Sequence, residues 1–323
     1  MTFNLKTALV MACSVLGSLQ PAMAQTYPNS PIHLILPYSP GGIIDFAGRA
    51  LGQQLSQVLG QTVVPENRPG AGGIAGTDLV ARANPDGYTL LFMDPAIVIN
   101  PSLQASVPYD LFKQLKAVSI VSSSPEVLVI APALNVNSVA ELIEYGKKNP
   151  GKLNFASAGV GTTPHLAGEL LKMRTGISAS HVPYRSIGES FPDLISNRVQ
   201  FAFSSIAGAM PFTSSNQVRT LATTGLVRSP VFPDKQTVAE AGVEGFEVDL
   251  WLGVFAPSGV PQPILDKLNG AIRQALANED LKAAFLKSGI TTRGASLEDS
   301  DAMVRSEFAK WRKVIETSGA KGQ

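Results

Sequence analysis

Ile32-His33-Leu34-Ile35-Leu36-Pro37-Tyr38-Ser39-Pro40-Gly41-Gly42-Ile43-Ile44-Asp45 is the stretch on which the reading of this chain turns. Its first five residues are mostly branched and apolar, the pattern of a buried parallel strand. Pro37 and Pro40 stop the strand, and Gly41-Gly42 open backbone angles that residues with a Cβ avoid. From Asp45 the period changes: Ala47, Leu51, Leu55 and Leu59 share one helical face, and Gly60 is a natural C-cap. The product is a strand, a tight glycine loop and a helix whose first turn has free N–H groups, which attract anions. Gly42 is expected at a left-handed or crowded position closed to β-branched residues.

A second unit mirrors the first. Leu153-Asn154-Phe155-Ala156 is a strand and Ser157-Ala158-Gly159-Val160-Gly161 a glycine loop. Thr163 as N-cap and Pro164 at the first helical position open a helix through His165, Leu166, Leu170 and Met173 to Gly176. Around these units run Thr62–Val64, Tyr88–Met93, Val118–Val121, Val127–Ile130, Val199–Phe203 and Arg219–Thr223 as strands. Thr237–Ala241 reads as one helical turn, and the C-terminal part as helices over Pro263–Ala277, Asp280–Lys287 and Leu297–Ser318. Helices alternating with apolar strands predict an α/β protein with mostly parallel sheets. Crossings near Ser124 and Leu250 divide it into residues 25–124 plus 251–323 as domain 1 and 125–250 as domain 2.

Residues 1–24 read as a secretory signal peptide: Lys6, an apolar run from Ala8 to Leu19, and Ala22-Met23-Ala24 with cleavage after Ala24. The apolar run is too short to span a membrane, and no stable membrane insertion is expected. The single cysteine, Cys13, falls within that segment, so no disulfide or thiolate chemistry is expected in the mature chain. A formal net charge of +1 argues against nucleic acid or an anionic membrane surface as partner.

Gly70-Ala71-Gly72-Gly73-Ile74-Ala75 satisfies a dinucleotide-binding pattern, with Asp94 near the distance of a ribose-binding acid. Pro65, Pro69 and the polar Glu66-Asn67-Arg68 break the strand that should precede it, so no nucleotide site is expected there. His33, His165 and His181 are scattered, and no metal or cofactor is expected. A secreted hydrolase or transferase using Ser157 or Ser204 is the second functional reading; His165, eight residues from Ser157 across a helix start, is not placed as its base.

Tyr27-Pro28, Pro31-Ile32, Gly41-Gly42-Ile43-Ile44-Asp45, Leu59-Gly60-Gln61, Glu66-Asn67-Arg68-Pro69-Gly70-Ala71-Gly72-Gly73 and Pro85-Asp86-Gly87-Tyr88-Thr89-Leu90 follow in order. This series resembles the Bug/TctC family, the periplasmic solute receptors of tripartite tricarboxylate transporters, from about Tyr27 to the C-terminus. The resemblance implies a type II periplasmic binding-protein fold, two α/β domains with a ligand cleft between them, and makes Gly70–Gly73 a structural loop of the first domain. It also implies an exported, non-catalytic receptor that hands its ligand to a membrane permease or to a sensor kinase.

Carried over by position, Tyr38, Ser39, Gly41, Gly42 and Asp45 form the first wall, with Ile44 beside the ligand's body. Ser157, Gly159, Gly161, Thr162 and Thr163 form the second, with His165 beside them. Two positions depart from the family pattern: Tyr184-Arg185-Ser186 stands where Tyr-Lys-Gly is usual, and Ser204 where an Asp is usual. Neither glycine loop contains Arg or Lys, which favours a small mono- or dicarboxylate with an apolar body over a phosphate or a trianion. Arg185 is placed to reach a second carboxylate.

Overall fold

A computed structural model describes residues 27–320; the expected leader, with Cys13 and Ala24, lies outside them. The opening strand β1 (Ile32–Leu36) buries every residue but His33. The following helix α1 (Ile43–Leu59) buries Ala47, Leu51 and Leu55 on one face and ends at Gly60 in the left-handed region. Next come β2 (Val63–Asn67), α2 (Ile74–Ala81), β3 (Thr89–Met93), α3 (Ala96–Leu103), α4 (Leu111–Gln114) and β4 (Leu115–Ser123). The chain then crosses to a second sheet: β5 (Glu126–Ile130), α5 (Val139–Lys148), β6 (Leu153–Ser157), α6 (Thr163–Thr175), β7 (Ala179–Pro183), α7 (Phe191–Ile195), β8 (Phe201–Ser205), α8 (Ile206–Ser214) and β9 (Arg219–Thr223). It returns through β10 (Leu252–Pro257) and closes with α9 (Gln262–Leu276), α10 (Glu279–Lys287), β11 (Thr291–Thr292) and α11 (Leu297–Ser318).

The two sheets share one plan. The first runs β11-β4-β10-β3-β1-β2 and the second β7-β6-β8-β5-β9. In each, three parallel strands lie beside one antiparallel strand, β10 or β5, that has just crossed from the other sheet. Strand β2 departs from the expectation that prolines break it: it continues through Pro65 to Asn67. It can do so because it is an edge strand, paired only to β1, where a missing N–H leaves no ladder bond open. Thr237–Ala241 is a run of turns anchored by a bridge from Thr237 to Thr223, not a helix. Helices α3 and α8 were not visible in the residue pattern, and each carries an internal proline, Pro101 and Pro211.

The crossings run side by side. Pro125 bridges Asp249 in antiparallel fashion, and Leu250 N–H donates to Ser124 C=O at 3.1 Å. The Asp249 carboxylate accepts from the Ser123 hydroxyl and the Ser124 N–H, both at 2.6 Å. The apolar core is continuous from one sheet to the other, and α11 packs on α3, β4 and α6. Its buried Glu307 accepts from the indoles of Trp251 at 3.3 Å and Trp311 at 2.9 Å, and pairs with Lys310. Among the described residues no helix is long and apolar enough to cross a membrane.

Candidate functional site

A cavity of about 430 Å³ opens between the two sheets. Tyr38, Gly72, Asp94, Ala96, Ile99, Asn100, Leu103 and Gln104 line it from the first lobe. Glu126, Val160, Gly161, Thr162, Thr163, Pro164, Ile187, Ser205 and Leu250 line it from the second lobe and the crossing. A neighbouring cavity of about 620 Å³ shares Gln104 and Val160 and adds Ala71, Ile74, Gly159, Pro183, Tyr184 and Arg185. The two form one cleft.

The first glycine loop contributes less than its sequence suggests. Tyr38 reaches the cleft, its hydroxyl donating to Asp94 Oδ1 at 3.1 Å. Ser39, Gly41 and Gly42 are exposed and do not line either cavity, and Ile44 is buried in the core of the first lobe. Gly41, not Gly42, is left-handed, at φ 96°. Gly42 is extended (φ −87°, ψ 178°), and a Cβ there would meet nothing within 4 Å, so the expected constraint sits one residue earlier. Asp45 closes the loop: its carboxylate accepts from Gly41 N–H at 3.0 Å, Asn67 Nδ2 at 2.9 Å and Arg49 Nε at 2.8 Å. These bonds, that from Gly41 foremost, hold it below the usual carboxylate range.

The second loop is open to the cleft. The N-cap is Thr162, one residue before the expected Thr163, and its hydroxyl donates back to Gly159 C=O at 2.7 Å. Gly161 N–H donates to His165 Nδ1 at 3.1 Å. The N–H groups of Thr163 and His165 have no partner among the described residues, and neither has the Thr163 hydroxyl. Thr163 lines the cavity, so one unpaired N–H donor at the positive end of a helix faces it, while the expected site residue His165 is buried behind and lines neither cavity. Gly161 has φ 81°, and a Cβ there would lie 2.0 Å from Leu103 Cδ2, so glycine is what lets the two lobes meet at this point.

Two acids also line the cavity, and both are pushed toward their neutral forms. Burial raises Asp94, which also receives the Ala96 N–H at 2.9 Å. Burial, and then the neighbouring Asp249, raises Glu126 to about 8. The residue pattern marks Asp94 only as a candidate ribose ligand and carries no signal for Glu126, Gly72 or Asn100. The Gly70–Gly73 segment, read as purely structural, in fact supplies Gly72 to this wall, and the Gly72 carbonyl accepts from Asn100 Nδ2 at 3.0 Å.

The serines fit a catalytic role poorly. Ser157 is fully buried, accepts from Gly159 N–H at 2.9 Å and contacts His181 Nε2, not His165, at 2.6 Å. Burial, and next Lys172, lowers His181 to about 4, and no carboxylate orients its other ring nitrogen among the described residues. Ser204 points into the lobe, fully buried, while its neighbour Ser205 lines the cavity and caps α8. Adjacent strand residues face opposite sides, so the expected site residue is displaced by one. Tyr184 hydroxyl donates to Asp193 at 2.7 Å, and Arg185 is exposed at the cleft without an ion-pair partner among the described residues.

Two α/β lobes joined by paired crossings around such a cleft define a periplasmic binding protein of type II topology. The chain belongs to the TctC family, described as tripartite tricarboxylate transporter family receptor, which it matches over residues 47–320. BugT of Bordetella pertussis is 36% identical over 307 residues, covering 94% of each chain. The solved structure of R. palustris Rpa4515 with adipate superposes with a TM-score of 0.74 at 32% identity, covering 91% of this chain and 98% of that one. MatC from Rhodopseudomonas palustris with bound malate gives a TM-score of 0.70 at 28% identity, covering 90% of this chain and all (100%) of that one.

Proposed function

We propose that this protein is an exported, non-catalytic solute receptor that captures a small organic carboxylate in the interdomain cleft. It then delivers that ligand to the permease of a tripartite transporter. The observation that carries the reading is the α6 start, where the N–H and the hydroxyl of Thr163, unpaired among the described residues, lie at the cavity wall. The family match and the carboxylates named for two similar structures support it. The binding set comprises Tyr38, Gly161, Thr162 and Thr163, with His165 behind them and Arg185 at the outer cavity. Residues 25–124 with 251–323 and residues 125–250 act as the two lobes, and cleavage after Ala24 releases the mature chain to the periplasm.

A thermal-shift screen tests this. A ligand at about 100 times its dissociation constant adds roughly 2.7 kcal/mol of stability, a rise of a few degrees in a chain of this size. Carboxylates should give that rise, and sugars, simple amines and phosphate esters none. Mass spectrometry should recover the ligand unchanged after long incubation. A neutral sugar as the sole ligand, or turnover of the carboxylate, would defeat the reading. Small-angle scattering should give a smaller radius of gyration with ligand than without if the lobes hinge at the crossings.

A further inference from the structure

Glu126, the first residue of β5, is 3% exposed and lines the cavity where the chain enters the second lobe. Its backbone is fixed: its N–H donates to Thr224 Oγ1 at 2.7 Å, and its Cα pairs with that of Ser205. Its side chain is not, for Oε2 is buried with no hydrogen-bond partner among the described residues. A buried, unpaired carboxyl oxygen is costly, and a native fold keeps one where something else completes it.

The surroundings say what that something is. Ser205 also lines this corner; its Oγ accepts from Gly208 N–H at 3.2 Å, which leaves the hydroxyl proton to donate. Helix α8 starts at the next residue, so its positive end faces the same corner. Asp249 on the second crossing, with Glu247 and Arg293 around it, and Asp94 on the opposite wall are the charged groups nearby. Neither Lys nor Arg lines this cavity. Burial without a cation favours the neutral acid, which has an O–H to give. The same cavity is lined by the apolar Ile99, Leu103, Ile187 and Leu250 as well as by Thr163 at the α6 start.

Resting on the receptor reading above, we propose that Glu126 is a specificity residue of the cleft. As a neutral carboxyl it donates a hydrogen bond, together with Ser205, to the second carboxylate of a dicarboxylate whose first carboxylate sits at the α6 start. It thereby selects an acceptor over an ammonium at that end.

Three probes of equal chain length separate the alternatives by calorimetry: adipate, hexanoate and 6-aminohexanoate, against the wild type, Glu126→Gln and Glu126→Leu. Adipate should bind the wild type most tightly and weaken about tenfold from pH 7 to pH 9, as a group titrating at about 8 loses its proton. Glu126→Gln, which keeps a neutral donor, should hold adipate within about threefold and without that pH dependence. Glu126→Leu should lose adipate at least about tenfold and leave hexanoate unchanged. Tightest binding of 6-aminohexanoate, lost in Glu126→Gln, would overturn the proposal, as would equal affinity for hexanoate and adipate. If none of the three binds, the dicarboxylate arrangement proposed for this cleft fails at that chain length, and the ligand-free protein still decides the state of Glu126. A carboxyl raised from 4.5 to about 8 on folding costs stability as pH rises through that window. The melting point of the wild type should therefore fall relative to Glu126→Gln between those pH values; a constant difference would refute the neutral donor.

Discussion

The two glycine loops stand on the same strand–loop–helix plan, yet they use their helix starts in opposite ways. In the first, Asp45 sits inside the opening turn of α1 and takes the Gly41 N–H itself, while Arg49 and Asn67 complete its shell. That helix end already has its anion. In the second, the polar side chains turn inward: Thr162 bonds Gly159, Ser157 closes on Gly159 and His181, and His165 Nδ1 takes the Gly161 N–H. No acid enters the first turn of α6, and Thr163, whose N–H is unpaired among the described residues, lines the cavity, whereas Gly42 and Asp45 at the α1 start line neither cavity. A helix start that carries its own acid is a poorer anion site than one that carries none.

The sharpest way to break this contrast is at Gly161. Alanine there would have to hold φ near 81° and push against Leu103 from 2.0 Å. Strain of about 1–3 kcal/mol adds to a clash that the Leu103 side chain must move to relieve. Affinity for a carboxylate should fall by about 100-fold or more, equivalent to about 2.7 kcal/mol. Calorimetry that finds Gly161→Ala within about threefold of wild type would show that the α6 start does not hold the ligand.

Asp45→Ala should do the reverse, lowering stability while sparing affinity. It strips a charge-assisted acceptor from Gly41, Asn67 and Arg49, and a cost of about 2 kcal/mol is expected in urea unfolding. Carboxylate affinity should stay within about threefold. A gain in affinity of tenfold or more would mean that Asp45 had been repelling the ligand and that the first loop faces it directly.

Acid titration probes the inward side chains of the second loop. Burial is the first cause that lowers both His165 and His181 to about 4; contact between the rings, whose centroids lie 4.0 Å apart, adds to it for His165, and Lys172 for both. An unfolded histidine titrates near 6.5. The neutral pair therefore contributes its full stability above about pH 6.5, and that contribution is lost as pH falls toward 4. The melting point of the wild type should drop across that window more steeply than that of His181→Gln, whose side chain does not titrate. Parallel curves would mean the rings are already solvated in the folded state.

Both loops were legible from residues because proline and glycine interrupt strong apolar patterns there. What surrounds them was not. Helices α3 and α8 carry Pro101 and Pro211 inside, so neither shows an uninterrupted helical run, yet α3 supplies Ile99, Asn100 and Leu103 to the cleft. Glu126 stands just before the apolar run Val127–Ile130 and its residue type gives no sign of burial; it is buried beside the pairing of the two crossings. The residue pattern points to Ser204 while Ser205 faces the cavity, because side-chain direction depends on strand phase, which residue types alone leave open by one position. The common strand order of the two sheets is likewise a property of the backbone path and leaves no repeat in the residues.

The smallest effects are expected in the first loop's own glycines, and they sharpen the contrast most cleanly because no side chain crowds either position. A Cβ at Gly41 or at Gly42 would meet nothing within 4 Å, so sterics are removed and backbone angle alone remains. Gly41 has φ 96° and donates its N–H to Asp45; Gly42 has φ −87° and ψ 178°, an extended conformation any residue adopts. Gly41→Ala should cost about 1 kcal/mol, the usual penalty for a left-handed non-glycine residue. Gly42→Ala should cost nothing measurable, and even Gly42→Val should leave carboxylate affinity within about threefold, since valine favours extended angles. Urea unfolding gives the first difference and calorimetry the second. Loss of binding in Gly42→Val with stability intact would place the extended Gly42 against the ligand, and the two loops would then be alike after all.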